Sequence, residues 1–165
     1  MSTVRPAGPG DADGIARVQV SSWQVAYRDV MPDALLDGLR WEDRAEGWRT
    51  IFGDLSVPGR SVFVTVDGST VTGFAAVGPP NDSGLEGVHE LYAIYVAPDR
   101  YGAGDGPALM AAVLDAAPPP IVLWVLAENP RARRFYEKHG FAPDGASRVR
   151  EHGGKPLEEV RYRRD

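Results

Sequence analysis

The stretch YVAPDRYGAGDGPALM, Tyr95 to Met110, constrains the fold more than any other part of the chain. An apolar run ends at Val96 and a helix-forming run begins near Pro107, so the segment reads as strand, turn and helix. Gly102, Gly104 and Gly106 fill the turn at a spacing of two, and a tight turn of this kind needs the positive φ that glycine takes without strain. A glycine-rich turn that opens a helix also aims backbone N–H groups at one point, which suits an anion such as phosphate. Asp105 and Pro107 work against that. A carboxylate repels a phosphate unless it turns to solvent, and proline removes one N–H from the first helical turn. The loop is not a Walker A loop, because no Gly-Lys-Ser/Thr follows, and it does not match G-x-G-x-x-G.

The flanking sequence supplies the elements around this turn. Thr3 to Arg5 predicts a short first strand. Asp11 or Asp13 is a helix N-cap candidate, followed by Ile15, Val18, Gln19, Ser22, Trp23, Ala26 and Tyr27 on one stripe. Met31-Pro32 breaks that helix, and Leu35, Leu36, Leu39, Trp41 and Trp48 mark one or two shorter ones. Ser61–Val66 and Val71–Val77 flank the hairpin signal Asp67-Gly68, and Gly87 to Val96 is a third strand. A helix from Pro107 to Ala116 and the strand Ile121 to Val125 follow. Asn129-Pro130 is a strong helix start and Gly140 a helix stop. Leu157 to Arg163 belongs to one or two closing strands. This order predicts a mixed α/β (α+β) fold in a single domain over residues 1–165, its sheet partly antiparallel and partly parallel.

Composition narrows the function classes. With 165 residues, the chain is long enough to bury roughly 70% of its unfolded surface. It has no cysteine, which removes disulfides, thiolate metal sites and cysteine nucleophiles. His89, His139 and His152 show no metal-ligand spacing, so no metal is expected. A net charge of −5 argues against nucleic acid as a partner. The N-terminal MSTVRPAGPGDADG has no apolar core of a signal peptide, and IVLWVLA is too short to span a bilayer, so the expectation is a cytoplasmic protein with no membrane contact.

Two motifs at a fixed separation resemble the GCN5-related N-acetyltransferases, the GNAT superfamily. Their acyl-CoA loop reads V-x-P-x-x-[Arg/Gln]-G-x-G-[apolar]-[Gly/Ala] with a leucine three residues on; Val96, Pro98, Gly102, Gly104, Gly106 and Leu109 fall in register. Downstream, LWVLAENPRARRFYEKHGF is similar to N-x-x-A-x-x-x-Y-x-x-x-G-F through Asn129, Ala132, Tyr136, Gly140 and Phe141. The resemblance implies a central, mostly antiparallel sheet with one splayed parallel strand pair and helices on both faces. It implies acetyl-CoA as acetyl donor, no metal, a small-molecule or peptide amine as acceptor, and it admits a homodimer. Acetyl-CoA contacts are implied for Ile94, Val96, Arg100, Tyr101, Gly102, Ala103, Gly104, Asp105, Gly106, Asn129, Ala132 and Tyr136. The chain departs from the family at Tyr101, where Arg or Gln is usual, at Asp105, usually apolar, and at Pro107. A lost charge-assisted hydrogen bond is worth about 1.5–3 kcal/mol, so the expected outcome is weaker binding by one to three orders of magnitude. These departures also motivate an alternative, an acyl-CoA-binding regulatory domain with little catalysis, and a third reading, an interaction domain that has lost the ligand.

Acetyl transfer to an amine needs a base for the ammonium proton, a donor for the acyl oxygen and an acid for the leaving thiolate. On the helix after Asn129, Ala132, Phe135, Tyr136 and His139 share one face, which turns Tyr136 inward. The resemblance places the CoA sulfur there, making Tyr136 the candidate acid. Glu90 stands in HELYAIYV, an otherwise apolar or aromatic strand, where strict alternation puts Glu90, Tyr92, Ile94 and Val96 on one face. A carboxylate on a buried face needs a partner or a wet cleft, so Glu90 is the candidate base. Trp23 and Tyr27, one helical turn apart, are candidates for the acceptor wall, as are Tyr92 and, with less to distinguish them, His89 and His152.

Overall fold

Seven strands form one mixed sheet in the computed structural model, which describes residues 2–54 and 59–165. They are β1 (Thr3–Pro6), β2 (Ser61–Asp67), β3 (Thr70–Gly78), β4 (His89–Val96), β5 (Ile121–Leu126), β6 (Ala142–His152) and β7 (Lys155–Arg164), in the spatial order β1-β2-β3-β4-β5-β7-β6. All neighbours are antiparallel except β4 and β5. That parallel pair meets only at His89–Ile121 and Glu90–Val122, and beyond those residues the two strands part. The mixed sheet with a splayed parallel pair is therefore the observed architecture.

Helices α1 (Ala12–Ala26), α2 (Asp33–Asp37), α3 (Trp41–Gly53), α4 (Asp105–Ala116) and α5 (Pro130–Lys138) cover both faces. On one face Ile15 and Ala16 of α1 and Trp48 of α3 pack on Phe74 and Ala76 of β3. On the other, Leu109, Met110 and Val113 of α4 and Tyr136 of α5 pack on Ala75, Val77, Leu91 and Leu123. Leu109, Met110 and Val113 are fully buried, each stabilising by about 1.5–3 kcal/mol. A third cluster joins Tyr27, Met31 and Leu36 to Leu126 of β5 and Leu157 of β7.

The helix starts differ from the sequence reading at two places. Asp11 stands at the N-cap of α1 as read, but neither it nor Asp13 caps the helix with its side chain. Asp11 instead accepts from the Gly8 N–H and from both terminal nitrogens of Arg5, and Asp13 pairs with Arg49 of α3. Helix α4 begins at Asp105, two residues before Pro107, because Gly104 takes φ 96° and turns the chain into the helix earlier.

A β-bulge in β4 overturns the strict alternation expected there. Ala76 pairs with Ala93 but Val77 pairs with Leu91, so Tyr92 is an extra residue opposite β3. Glu90 and Tyr92 share a face with Ala93 and Tyr95, toward α1 and α3, whereas Leu91, Ile94 and Val96 face α4. Gly78 makes room for the Tyr92 ring. A Cβ on Gly78 would lie 2.8 Å from the Tyr92 hydroxyl, which instead folds over it and donates to the Pro79 carbonyl.

Candidate active site

The gap between β4 and β5 opens into a cleft of about 1100 Å³ that reaches both faces of the sheet. Its α4–α5 side is lined by the glycine turn, α5 and the residues Ile94 and Val96. Its opposite side is lined by Trp23, Tyr27, Glu90 and Tyr92, with Trp124 of β5, and by the end of the β6–β7 hairpin. Of the residues proposed from sequence, Ala103 and Asp105 do not line the cleft, and His89 lies apart, its Nδ1 3.0 Å from the Pro118 carbonyl.

At the turn, Gly102 and Gly104 adopt φ of 79° and 96°. The amides of Asp105 and Gly106 belong to the first helical turn and so have no intrahelical acceptor. Their N–H groups and the helix dipole give this end of the cleft its anion-binding character. Asp105 is not turned to solvent, as the phosphate argument required, but inward: it is 3% exposed and its Oδ2 is 3.4 Å from Arg100 Nε. Arg100 also meets Asp67 and the Ser2 hydroxyl, so its guanidinium is held inside the protein's own network. The Tyr101 ring, in place of the family's Arg or Gln, lies 3.6 Å beneath the guanidinium of Arg131 from α5. Arg131, Arg134 and Lys138 of α5 also line the cleft.

Asn129 caps α5: its side chain accepts from the Ala132 N–H at 3.2 Å. That bond fixes the first turn of the helix and thereby aims Tyr136 four residues later into the gap. Tyr136 is 9% exposed, and among the described residues its hydroxyl makes no hydrogen bond. Burial, and then the nearby Tyr95 hydroxyl, push its pKa up, so it holds its proton throughout the neutral range. Tyr95, missed from sequence because alternation seemed to send it away from Glu90, stands 3.4 Å from the Tyr27 hydroxyl, and burial raises the pKa of both.

Glu90 is 6% exposed and its Oε1 accepts the Asn81 N–H at 2.9 Å. Burial raises its pKa; the Asn81 N–H opposes this, Asp82 adds to it, and Arg148 and Arg150 lower it. The result is a carboxylate more basic than an exposed glutamate, at the edge of a solvent-filled cleft. Trp23 and Tyr27 pack edge to face at 5.1 Å and serve both the third core cluster and the cleft wall. Arg148, Arg150 and Glu159 complete that wall and were missed; Arg148 and Arg150 sit with His152 at period two on β6, but period two does not say which strand lies beside the cleft.

A sheet parted in this way, with free amides at one end of the opening and a protonated hydroxyl inside it, belongs to the N-acyltransferase class. The chain is a member of the acetyltransferase (GNAT) family, whose model matches residues 20–141, and with it an acetyl-CoA-dependent N-acetyltransferase. It is 35% identical over 137 residues to the uncharacterized N-acetyltransferase YuaI of Bacillus subtilis, covering 79% of this chain and 75% of that protein. Among solved structures it is similar to the PaiA N-acetyltransferase of Thermoplasma acidophilum in complex with coenzyme A (TM-score 0.75, 18% identity, 96% and 98% of the two chains). It is also similar to yncA of Salmonella typhimurium with its cofactor acetyl-CoA (TM-score 0.69, 20% identity, 98% and 92%).

Proposed function

We propose that the chain, acting as one catalytic unit over residues 1–165, moves the acetyl group of acetyl-CoA directly to a primary amine of a small molecule or peptide. The observation that carries this reading is Tyr136, a largely buried side chain that lines the gap, keeps its proton and, among the described residues, gives its hydroxyl no hydrogen-bond partner. Similarity to PaiA with coenzyme A and to yncA with acetyl-CoA supports the donor. The amides of the glycine turn, and the charges of Arg131, Arg134 and Lys138, suit its phosphates. The motive for a non-catalytic acyl-CoA-binding domain weakens, since Asp105 is neutralised by Arg100 instead of facing a phosphate.

When bound, acetyl-CoA supplies an acyl carbon activated by its thioester. An alkylamine has a pKa near that of lysine, about 10.4, and must lose a proton to attack. Glu90 takes that proton, directly or through water, as the N–C bond forms. Tyr136 holds a proton at its hydroxyl for the sulfur as the C–S bond breaks. Beyond the Glu90–Val122 pair β4 has no ladder partner on the β5 side, and a backbone N–H of that stretch would suit the acyl oxygen. Among the described residues no helix is long and apolar enough to cross a membrane; a cytoplasmic location and a homodimer belong to the same proposal.

The direct test is thermal unfolding with and without acetyl-CoA. At one hundred times its dissociation constant a ligand stabilises by about 2.7 kcal/mol, so the expected upward shift is roughly 5–11 °C, absent with acetate. No shift at millimolar acetyl-CoA would refute the proposal. A second measurement assigns the base. Glu90→Gln is expected to reduce kcat/KM by about 10²–10⁴-fold at neutral pH. Glu90 works in its ionised form, so wild-type activity falls as pH drops through its raised pKa, and the variant's profile lacks that acid limb. A wild-type limb retained in the variant assigns the base elsewhere.

A further inference from the structure

The wall of the cleft opposite the glycine turn holds two anomalies. Trp23 Nε1 and His152 Nε2 are both buried, and neither has a hydrogen-bond partner among the described residues. More than about nine in ten buried polar groups find one, so two failures in one cleft, on rings 6.2 Å apart, ask for a missing partner. An indole N–H can only donate, so the partner of Trp23 must be an acceptor atom. Tyr95 stands close by without meeting hydrogen-bond geometry with it. His152 Nε2 is 3.6 Å from Glu159 Oε2, too far for a hydrogen bond.

The charges of this wall point the same way. Arg148, Arg150 and His152 alternate along β6 on the face shared with Glu159 of β7. Arg148 is committed: its Nε is 2.7 Å from Glu159, and its guanidinium covers the Trp124 ring at 4.1 Å and reaches Asp82 at 3.9 Å. Glu159 is thereby neutralised, and Asp82 is occupied further by the Trp124 N–H. Arg150 lines the cleft and, among the described residues, has neither an ion pair nor a hydrogen bond. Of the two acids on β6, Asp144 pairs with Arg161 at 2.6 Å, and Glu151 borders the cleft but alternates to the other face of the strand. Across the cleft stands Glu90, with no cation bonded to it. Arg148 and Arg150 stand close enough for their charges to lower the pKa of Glu90, so a small acceptor can reach from one wall to the other.

Resting on the acetyltransferase reading, we propose that the acceptor is an amine that also carries a carboxylate, with its amine toward Glu90 and its carboxylate held by Arg150 and the N–H groups of Trp23 and His152. The common amino acids, together with β-alanine and 4-aminobutyrate, are the class of molecule that fits.

The test compares these amino acids with their carboxamides, which keep the amine and lose the charge. Acetylation is followed by mass spectrometry and initial rates, and binding of N-acetylphenylalanine and N-acetylphenylalaninamide to the CoA-saturated protein is followed by calorimetry. The expected result is a kcat/KM for acids about 10–100-fold above that for amides, as for a charge-assisted contact, and the same order in binding. Arg150→Gln is expected to abolish most of that preference through KM for the acid alone, Arg150→Lys to keep part of it, and both to leave KM for acetyl-CoA unchanged. Amides used or bound as well as acids, or Arg150→Gln weakening both alike, would overturn the proposal, as would neither class being bound or acetylated. Arg150-dependent binding of the N-acetyl acid without turnover of any amine would instead uphold the carboxylate site and refute the transfer reaction.

Discussion

Replacing Tyr136 by phenylalanine is expected to lower the single-turnover rate by about 10²–10⁴-fold, the usual worth of a positioned general acid. Its acetyl-CoA affinity and melting temperature should stay close to the parent's. The separation follows from the hydroxyl's surroundings. Its ring packs among Phe135, Phe141 and Tyr162, contacts that phenylalanine keeps, while the hydroxyl has no hydrogen-bond partner among the described residues. Removing it therefore strips no structural hydrogen bond and leaves no large cavity. Because burial raises its pKa, the parent retains the acid beyond pH 10, where an exposed tyrosine titrates. Chemistry measured before product release isolates this step. An unchanged single-turnover rate would remove Tyr136 from proton transfer and leave it a core residue.

The second large effect concerns stability. Arg100→Gln is expected to cost about 2–4 kcal/mol, somewhat below the 3–5 kcal/mol typical of breaking a buried pair, because Arg100 keeps some solvent contact while Asp105 keeps almost none. For a chain of this size that lowers the melting temperature by about 4–16 °C. Asp105→Asn should be much milder, and combining the two should restore most of the loss, a coupling that a double-mutant cycle reads directly. Additive effects would mean that the two side chains do not depend on each other. Weakened acetyl-CoA binding in Arg100→Gln would then reflect a displaced glycine turn, since Arg100 is already engaged with Asp105, Asp67 and Ser2.

The parts of this molecule that were legible in sequence are those fixed by local backbone chemistry. Gly102 and Gly104 take the positive φ that their spacing requires, and Asn129-Pro130 starts α5 with the expected cap. Gly68 turns the β2–β3 hairpin at φ 61°. What escaped depends on partners far along the chain. Asp105 turns inward because Arg100 is anchored by Asp67 and Ser2, which no local pattern connects. The β6 wall meets the cleft because β7 pairs with β5 and brings β6 with it, and Arg148 reaches Asp82 from there. The bulge at Tyr92 escaped because Gly78, which makes room for it, is on another strand.

That extra residue in β4 acts as a change of parity. Before it, even-numbered positions look toward α1; after it, odd-numbered ones do, so Glu90 and Tyr95 share a side although five residues separate them. Deleting one residue within this stretch would give a more regular strand and a longer uninterrupted ladder, yet it would turn either the acid or the aromatic half of the strand through the sheet. Regularity and a complete cleft are thus mutually exclusive in β4. A redesign that scores this strand on ideal geometry would favour a well-paired sheet in which the two walls of the cleft no longer face the same space.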